Sequence, residues 1–300
     1  MSSKKFVYLF EEGNSNMRSI LGGKGANLAE MTNIGLPVPP GFTITAEACN
    51  EYLALNKEFP AGMLDEAFVA LRKLEEKTGK IFGDKDNPLL VSVRSGAAVS
   101  MPGMMDTILN LGLNDESVQG LAALTGDKRF AYDCYRRFMQ MFGDVVLEIE
   151  HYKFDEIVEK HKRKLSLIFD YEIPEQELFE IINEYKALVQ TEKGFPFPQD
   201  VKEQLILAIK AVFGSWDNPR AVYYRKLNKI PDDLGTAVNV QCMAFGNMGS
   251  DCGTGGGARP AWRPWRSTRP PCSPSTTSWR SAPRSRSSAP GRRERSPPAT

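Results

Sequence analysis

The composition of the chain changes abruptly near residue 253, and this change limits what each part can fold into. Residues 253–300 contain no Val, Ile, Leu, Met, Phe or Tyr, but they include ten Arg, nine Pro, nine Ser and a single acidic residue, Glu294. A segment without those apolar side chains cannot bury enough surface to offset the entropy of ordering. The sequence therefore predicts a core-forming region, residues 1–252, followed by a low-complexity tail, residues 253–300.

The positive charge of the tail offsets the negative charge of the rest of the chain in the formal net charge. The formal net charge is +1, yet ten of the 38 basic residues and one of the 37 acidic residues lie in the tail, which leaves residues 1–252 with a net charge of −8. No stretch approaches the roughly 18 consecutive apolar residues of a membrane span. Acidic residues interrupt the first apolar run at once, unlike a signal peptide. We expect a soluble, cytoplasmic protein with no membrane partner.

Cysteine and histidine are too few and too scattered to indicate a metal centre or a disulfide framework. His151 and His161 fall among charged residues, and we expect both on the surface. The five cysteines show no CxxC or other paired spacing, which favours reduced thiols. They are Cys49, Cys134, Cys242, Cys252 and Cys272. No Ser–His–Asp or Cys–His arrangement is apparent, so the sequence does not predict that type of nucleophilic catalysis.

Hydrophobic periodicity predicts strands on both sides of a helical region. Apolar runs bounded by turn residues predict strands at 5–10, 89–94 and 235–247. Apolar residues at a three-to-four spacing predict helices at 46–56 and 63–77. The same spacing recurs between residues 129 and 216, where the first helix is either continuous or divided near Gly143. This order predicts an α+β or mixed α/β fold with an inserted helical subdomain.

The segment "GGKG" at residues 22–25 lies between a predicted strand and a predicted helix. Glycines there let backbone N–H groups approach an anion, and Lys24 adds a mobile cation. The helix after it is predicted to turn Leu28, Met31 and Ile34 inward. The segment is not a Walker A loop, because Gly25 stands where a Ser or Thr would hold magnesium. A phosphate-binding turn and a purely structural turn both remain open.

Arg94 ends a predicted buried strand and leads into the uncharged segment "SGAAVSMPGMM". The planar guanidinium suits bidentate contact with phosphate oxygens, although a structural ion pair is equally open. Gly103 would allow close approach of the backbone to a ligand. Met104 and Met105 could cover a nucleotide without adding charge, or they could pack in the core together with Met101.

Two adjacent arginines, Arg136 and Arg137, lie on the predicted helix "YDCYRRFMQMF". Adjacent residues of a helix point about 100° apart, so at most one of them faces a given site. Solvated surface charge and a phosphate contact both remain open for this pair.

Seven segments taken together resemble the nucleotide-binding part of the pyruvate, phosphate dikinase family. They are "LGGKGANLAEM", "GLPVPPGFTIT", "LLVSVRSGA", "SMPGMMDTILNLGLND", "RFAYDCYRRF", "SWDNPRAVYYR" and "GTAVNVQCMAFGNMG". The likeness covers residues 5–252. The related phosphoenolpyruvate synthases share the GGKG and VRS elements but resemble the fourth segment less. A fragment of that second branch is the alternative.

The resemblance implies an ATP-grasp-type nucleotide-binding fold that is incomplete at the C-terminus. In the family, ATP passes its β-phosphoryl group to a histidine of a swivelling domain and its γ-phosphoryl group to inorganic phosphate. The phosphohistidine then converts pyruvate to phosphoenolpyruvate. This sequence lacks the histidine and pyruvate domains, so the resemblance implies that the chain is inactive alone. A homo-oligomer is possible for the full-length family.

By motif position, the resemblance assigns catalytic roles to three cations. Lys24 and Arg94 match the phosphate-contacting pair, and Arg137 matches an arginine near the phosphate end. Ala98 stands where relatives often carry a basic residue, which puts one nucleotide contact in doubt.

The resemblance also assigns nucleotide contacts to two further segments. Gly103, Met104 and Met105 match a loop over the terminal phosphates. Gln241 and Met243 lie on the strand that would approach the adenine. Mg²⁺ is implied as a cofactor, but the family's acidic ligands do not occur in this chain, so no metal ligand is assigned.

The tail departs from the family pattern within a residue or two of Gly253. Its composition is what GC-rich DNA translated out of frame would yield, and we hypothesise either a frameshift near codon 255 or a disordered tail. A non-catalytic nucleotide-binding module with an arginine-rich nucleic-acid arm is a further alternative. Because the tail lacks RGG repeats and RS runs, nucleic acid is not the expected partner.

Overall fold

A five-stranded antiparallel sheet forms the centre of this computed structural model, which describes residues 4–248 and 252–253. Its order is β1-β2-β7-β5-β6. The strands are β1 (Val7–Leu9), β2 (Gly41–Ile44), β5 (Val91–Gly96), β6 (Thr107–Leu111) and β7 (Ala237–Cys242), and a short parallel pair joins β3 (Ile81–Phe82) to β4 (Pro88–Leu89). Met1–Phe245 form one compact unit. The predicted tail, and with it the proposed nucleic-acid arm, lies outside the described residues apart from Gly253.

Helices precede and follow β5 and β6 along the chain. They are α1 (Arg18–Asn33), α2 (Ala46–Ala54), α3 (Met63–Thr78), α4 (Ser117–Thr125), α5 (Lys128–Val145), α6 (His151–Lys164), α7 (Glu175–Lys193), α8 (Val201–Gly214) and α9 (Pro219–Leu227). All of α4 to α9 lie between β6 and β7 in sequence. The prediction of mixed helix and sheet is therefore confirmed, and the sheet is antiparallel.

The two faces of the central strands differ in chemistry. Phe42 and Val93 both pair with Val240, and this apolar face joins one core with buried residues of α2 and α8. Thr43 and Arg94 both pair with Asn239, so side chains on the other face are polar. Helix α1 packs over the polar face. Polar side chains that are buried under a helix need hydrogen-bond partners, from the protein or from a ligand. This face is therefore a candidate for a functional site.

Helix α1 agrees with the predicted turn followed by a helix but differs from its prediction in orientation. A helical turn from Arg18 precedes the GGKG segment, the regular geometry is interrupted at Gly22, and the helix then continues to Asn33. The buried positions are Leu21, Gly22, Gly25, Ala26 and Ala29. The residues predicted to be inward are instead half-buried or exposed: Leu28, Met31 and Ile34. Small side chains face the sheet because α1 lies close to it, and the larger side chains are left on the outer side.

One element boundary differs from the periodicity, and the structure answers a choice that the sequence left open. Strand β1 ends at Leu9, because Phe10 begins a short 3₁₀ turn. Helix α5 continues through Gly143 as a single helix. That glycine serves packing, since a Cβ there would lie 2.2 Å from the ring of Phe154 on α6. Strand β6 was not predicted.

The prediction that both histidines lie on the surface is right for His151 and wrong for His161. The His151 side chain is 53% exposed, whereas that of His161 is 5% exposed. The two ring nitrogens of His161 contact Glu177 and Glu184, which lie two turns apart on α7. These contacts join α6 to α7 and explain why a histidine in a charged segment is buried.

Candidate functional site

The GGKG turn is seated directly on the end of β5. The backbone N–H of Gly23 donates to the carbonyl of Ala97 at 3.0 Å. Gly22 has φ 68° and ψ 173°, and a Cβ at that position would lie 1.4 Å from the carbonyl oxygen of Gly96. Only glycine fits this conformation and this approach. The turn is therefore fixed where the polar face of the sheet ends.

Two cations lie close together at this end of the sheet. The ammonium of Lys24 donates to the carbonyl of Ser95 at 2.8 Å. Loss of water around this ammonium and the nearby charge of Arg94 lower the pKa of Lys24. Burial likewise lowers the pKa of Arg94. Within residues 4–248 and 252–253 neither cation forms a salt bridge, so the positive charge of the pair is not neutralised by carboxylates.

The guanidinium of Arg94 is held on one side and has a free donor. Its Nη2 donates to Oε1 of Gln241. Its Nε is buried and has no hydrogen-bond partner among the described residues. The Nε2 of Gln241 in turn donates to the carbonyl of Pro39 at 3.1 Å. Arg94 itself is half-buried, has no carboxylate partner among the described residues and keeps donors beyond the one bound to Gln241, so it suits an anionic ligand.

The methionine segment forms the loop between β5 and β6. Met101 is buried, and its carbonyl accepts from the N–H of Met104 at 3.2 Å. Met104 and Met105 pack against the core, and the sulfur of Met105 lies 3.9 Å from the hydroxyl oxygen of Ser215. Gly103 is exposed, with open space where a Cβ would lie. The core-packing interpretation therefore describes the methionines here, and the contacts of Gly103–Met105 with a ligand stay a prediction.

Arg136 and Arg137 have opposite environments, as their angular separation requires. Arg136 is buried and binds Asp133 at 2.8 Å, whereas Arg137 is 52% exposed and binds the other carboxylate oxygen of Asp133 at 2.9 Å. Both arginines therefore pair within α5. The predicted phosphate contact of Arg137 remains a prediction.

Two further predicted positions lie beside the site. Met243 follows β7, is half-buried, and its N–H donates to the carbonyl of Leu90 at 2.9 Å. Ala98 continues the segment on which the GGKG turn is seated, and a Cβ on Gly23 would lie 3.5 Å from its carbonyl oxygen. The adenine contact predicted for Met243 is untested.

Sequence reasoning missed Asn239 and Thr43, which lie under the turn. The hydroxyl of Thr43 donates to Oδ1 of Asn239 at 3.0 Å, and both side chains are buried. The Nδ2 of Asn239 has no partner among the described residues. The signal was present in "AVNVQC", where polar residues at every second position of an apolar strand mark a polar sheet face.

Comparison with known proteins shows the family of this chain. Residues 18–68 and 55–258 match the family described as "Pyruvate phosphate dikinase, AMP/ATP-binding domain". The chain belongs to this family. It is 56% identical over 252 residues to the pyruvate, phosphate dikinase of Clostridium symbiosum, a match that covers 84% of this chain and 29% of the relative. It is also 56% identical over 264 residues to the enzyme of that name from Giardia intestinalis, covering 86% of this chain and 30% of the relative.

A plant dikinase gives the same result. The chloroplastic pyruvate, phosphate dikinase of Mesembryanthemum crystallinum is 56% identical over 244 residues, which cover 81% of this chain and 26% of the relative. The chain thus spans less than a third of the length of the dikinases it matches. Of the two alternatives left by the sequence, a dikinase and a phosphoenolpyruvate synthase, the match to the dikinase ATP-binding domain supports the dikinase.

No magnesium ligand is assigned among the described residues. Across 4–248 and 252–253 no group of three His, Cys, Asp or Glu side chains is placed to hold a metal ion. The end of the sheet that holds Lys24 and Arg94 suits an anion, because neither cation has a carboxylate partner among the described residues. In the same part of the chain no helix is long and apolar enough to cross a membrane.

Proposed function

We propose that the chain binds ATP as the nucleotide-binding part of a pyruvate, phosphate dikinase, with Lys24 and Arg94 contacting its phosphates. The observation that carries this proposal is the pair of cations without carboxylate partners, next to a glycine turn seated on β5. The family match supports the nucleotide, and the geometry supports the phosphate end as its point of contact.

The proposed fold is the ATP-grasp type, of which the described sheet and α1 would form one part. The antiparallel sheet with a polar face under a glycine-led helix supports this assignment. The division into residues 1–252 and 253–300 remains part of the proposal. The cytoplasm also remains a proposed compartment, since the plant relative is named chloroplastic.

The cation pair would act by charge stabilisation. Phosphoryl transfer needs in-line positioning and neutralisation of the charge on the transferring group, which preorganised cations supply. Lys24 would bind as a mobile point charge, and Arg94 would offer the N–H groups of a planar guanidinium held by Gln241. Gly103, Met104 and Met105 would close over the terminal phosphates and exclude water. Arg137, at the surface of α5, would swing from Asp133 to a phosphate.

The complete reaction needs more than these residues. The proposed sequence transfers the β-phosphoryl group to a histidine on a swivelling domain and the γ-phosphoryl group to inorganic phosphate, giving AMP and pyrophosphate. Magnesium would supply further neutralisation of phosphate charge in the family's reaction. No residue of the described part of the chain is assigned as its ligand.

Substituting either cation is expected to weaken ATP binding. Lys24→Met and Arg94→Met each remove a charged hydrogen-bond donor, so the Kd for ATP should rise about tenfold to hundredfold. Calorimetric titration of the 300-residue chain with ATP measures the change. Lys160→Met is the matched control, because this exposed lysine of α6 pairs with Glu184. A wild-type chain that binds no ATP, or two variants that bind like wild type, would reject the proposal.

Alkaline pH is expected to weaken ATP binding through Lys24. In the free chain the pKa of Lys24 is lowered by loss of water and by Arg94, so its charge is lost at a lower pH than that of an ordinary lysine. Bound phosphates favour the charged form and raise this pKa again, so binding takes up a proton and affinity falls as pH rises. Titrations at increasing pH measure the slope. The slope should become shallower in Lys24→Met; an unchanged slope would show that another group is responsible.

A further inference from the structure

We infer that Gln241 is a positioning residue that orients the guanidinium of Arg94 toward the phosphates, rather than a residue that contacts the adenine. This inference rests on the proposed function and names a further participant in the same site. Gln241 is 7% exposed on β7, and its side chain lies on the polar face of the sheet.

The strand register brings the two side chains together. Gln241 pairs with Ser92, and Arg94 pairs with Asn239 two positions away. Gln241 and Arg94 are therefore diagonal neighbours on one face of an antiparallel pair, within reach of long side chains. The contact depends on register and joins residues 147 positions apart in sequence.

The orientation of the Gln241 amide follows from its two partners. The carbonyl of Pro39 can only accept a hydrogen bond, and the guanidinium of Arg94 can only donate. Only one amide orientation satisfies both, with Nε2 toward Pro39 and Oε1 toward Arg94, as observed. The amide is fixed at both ends and can hold one edge of the guanidinium in place.

A neutral amide suits this task better than a carboxylate would. An aspartate or glutamate at this position would hold Arg94 equally well but would neutralise its charge and compete with an anionic ligand. Gln241 orients the group without neutralising it. The side chain of Arg94 would otherwise lose considerable rotamer entropy when a ligand binds, and orientation in the free protein reduces that loss.

The anchor of this arrangement is a stiff segment. Pro39 belongs to "LPVPPG", where three prolines restrict the backbone. The next carbonyl, that of Pro40, accepts from the N–H of Cys242 at 2.9 Å. The connector is therefore bound to β7 at Gln241 and at Cys242, and the Pro39 carbonyl is a rigid acceptor.

Three probes separate positioning from a base contact. ATP, inorganic tripolyphosphate and adenosine are titrated into the 300-residue chain and into Gln241→Glu and Gln241→Met. Gln241→Glu should raise the Kd for ATP and tripolyphosphate about tenfold or more, because it neutralises Arg94. Gln241→Met should raise both about threefold to tenfold, by loss of orientation alone. Adenosine binding should stay unchanged in both variants. In an Arg94→Met background, Gln241→Met should not change phosphate affinity further.

Ser92→Ala is the matched control. The Ser92 hydroxyl donates to the backbone carbonyl of Gln241 at 3.3 Å and is buried on the same face, but it has no bond to Arg94. This variant should keep the wild-type affinity for all three probes. An equal loss in Ser92→Ala would show that disturbance of the strand, rather than loss of orientation, lowers affinity.

Other results would overturn the inference in distinguishable ways. An adenosine affinity that falls together with that of ATP would make Gln241 a base contact. A loss of phosphate affinity in Gln241→Met that persists in full in the Arg94→Met background would exclude positioning. A wild-type chain that binds neither ATP nor tripolyphosphate would reject the proposed function. In that case NMR hydrogen exchange at the Arg94 guanidinium tests the inference separately. Exchange should accelerate in Gln241→Met if Gln241 holds the guanidinium. Unchanged exchange would reject the inference in addition to the proposed function.

Discussion

Gly22→Ala is expected to lower the free energy of unfolding by about 4 kcal/mol or more and to abolish ATP binding. Two costs add at this residue. Its φ of 68° with ψ of 173° is a conformation that L side chains rarely adopt. In addition, the new methyl group would lie 1.4 Å from the carbonyl oxygen of Gly96, a backbone atom that cannot move without breaking the end of β5. Urea denaturation followed by circular dichroism measures the loss.

Two other glycine substitutions separate strain from collision. Gly35→Ala shares the positive φ, at 82°, but has open space around its Cβ, so it should cost only about 1 kcal/mol. Gly23→Ala would place its Cβ 3.5 Å from two carbonyl oxygens, which is ordinary contact, and should change stability little. If Gly22→Ala costs no more than Gly35→Ala, the turn is not seated on β5 as described.

Local sequence patterns predicted where the helices and strands lie better than they predicted which of these elements contact one another. Helices α2 and α3 lie where the three-to-four spacing placed them, because each has one continuous apolar stripe. Helix α1 did not follow its stripe. Its small residues approach the sheet, and the requirement for close approach cannot be read from hydrophobicity. His161 was misplaced for a related reason, since its partners lie on another helix.

The candidate site shows the same division. Lys24 and Arg94 could be selected from the sequence because each belongs to a local motif with a chemical reason. Gln241 was selected from the same resemblance for a different role, a contact with adenine. Its contact with Arg94 could not be predicted, because strand register, rather than any local spacing, brings β7 beside β5. Asn239 was missed because its polar alternation was not distinguished from the surrounding apolar run.

The adjacent arginines of α5 show how burial changes the contribution of an ion pair to the free energy of unfolding. Sequence limited the site to one of the two but could not say which is buried. In the structure Arg136 is 3% exposed and Arg137 is 52% exposed, although both bind the same carboxylate, that of Asp133. Exposed pairs contribute about 0–1 kcal/mol, whereas an unpaired buried charge costs several times more. Arg137→Gln should therefore leave stability within about 1 kcal/mol of wild type.

Asp133→Leu is expected to lower the free energy of unfolding by about 3–5 kcal/mol, because it leaves Arg136 buried without its main partner. A carboxylate oxygen of Asp170 at 3.5 Å, the amide oxygen of Gln140 and the side chain of Tyr185 would remain near the guanidinium. Urea denaturation of the variant measures the loss. The double variant Asp133→Leu with Arg136→Met removes both charges and should recover most of it, since a buried pair replaced by apolar side chains is often neutral. If the double variant is as unstable as Asp133→Leu, the loss comes from packing around position 133. If Asp133→Leu costs no more than Arg137→Gln, the guanidinium of Arg136 reaches water and the pair is not buried.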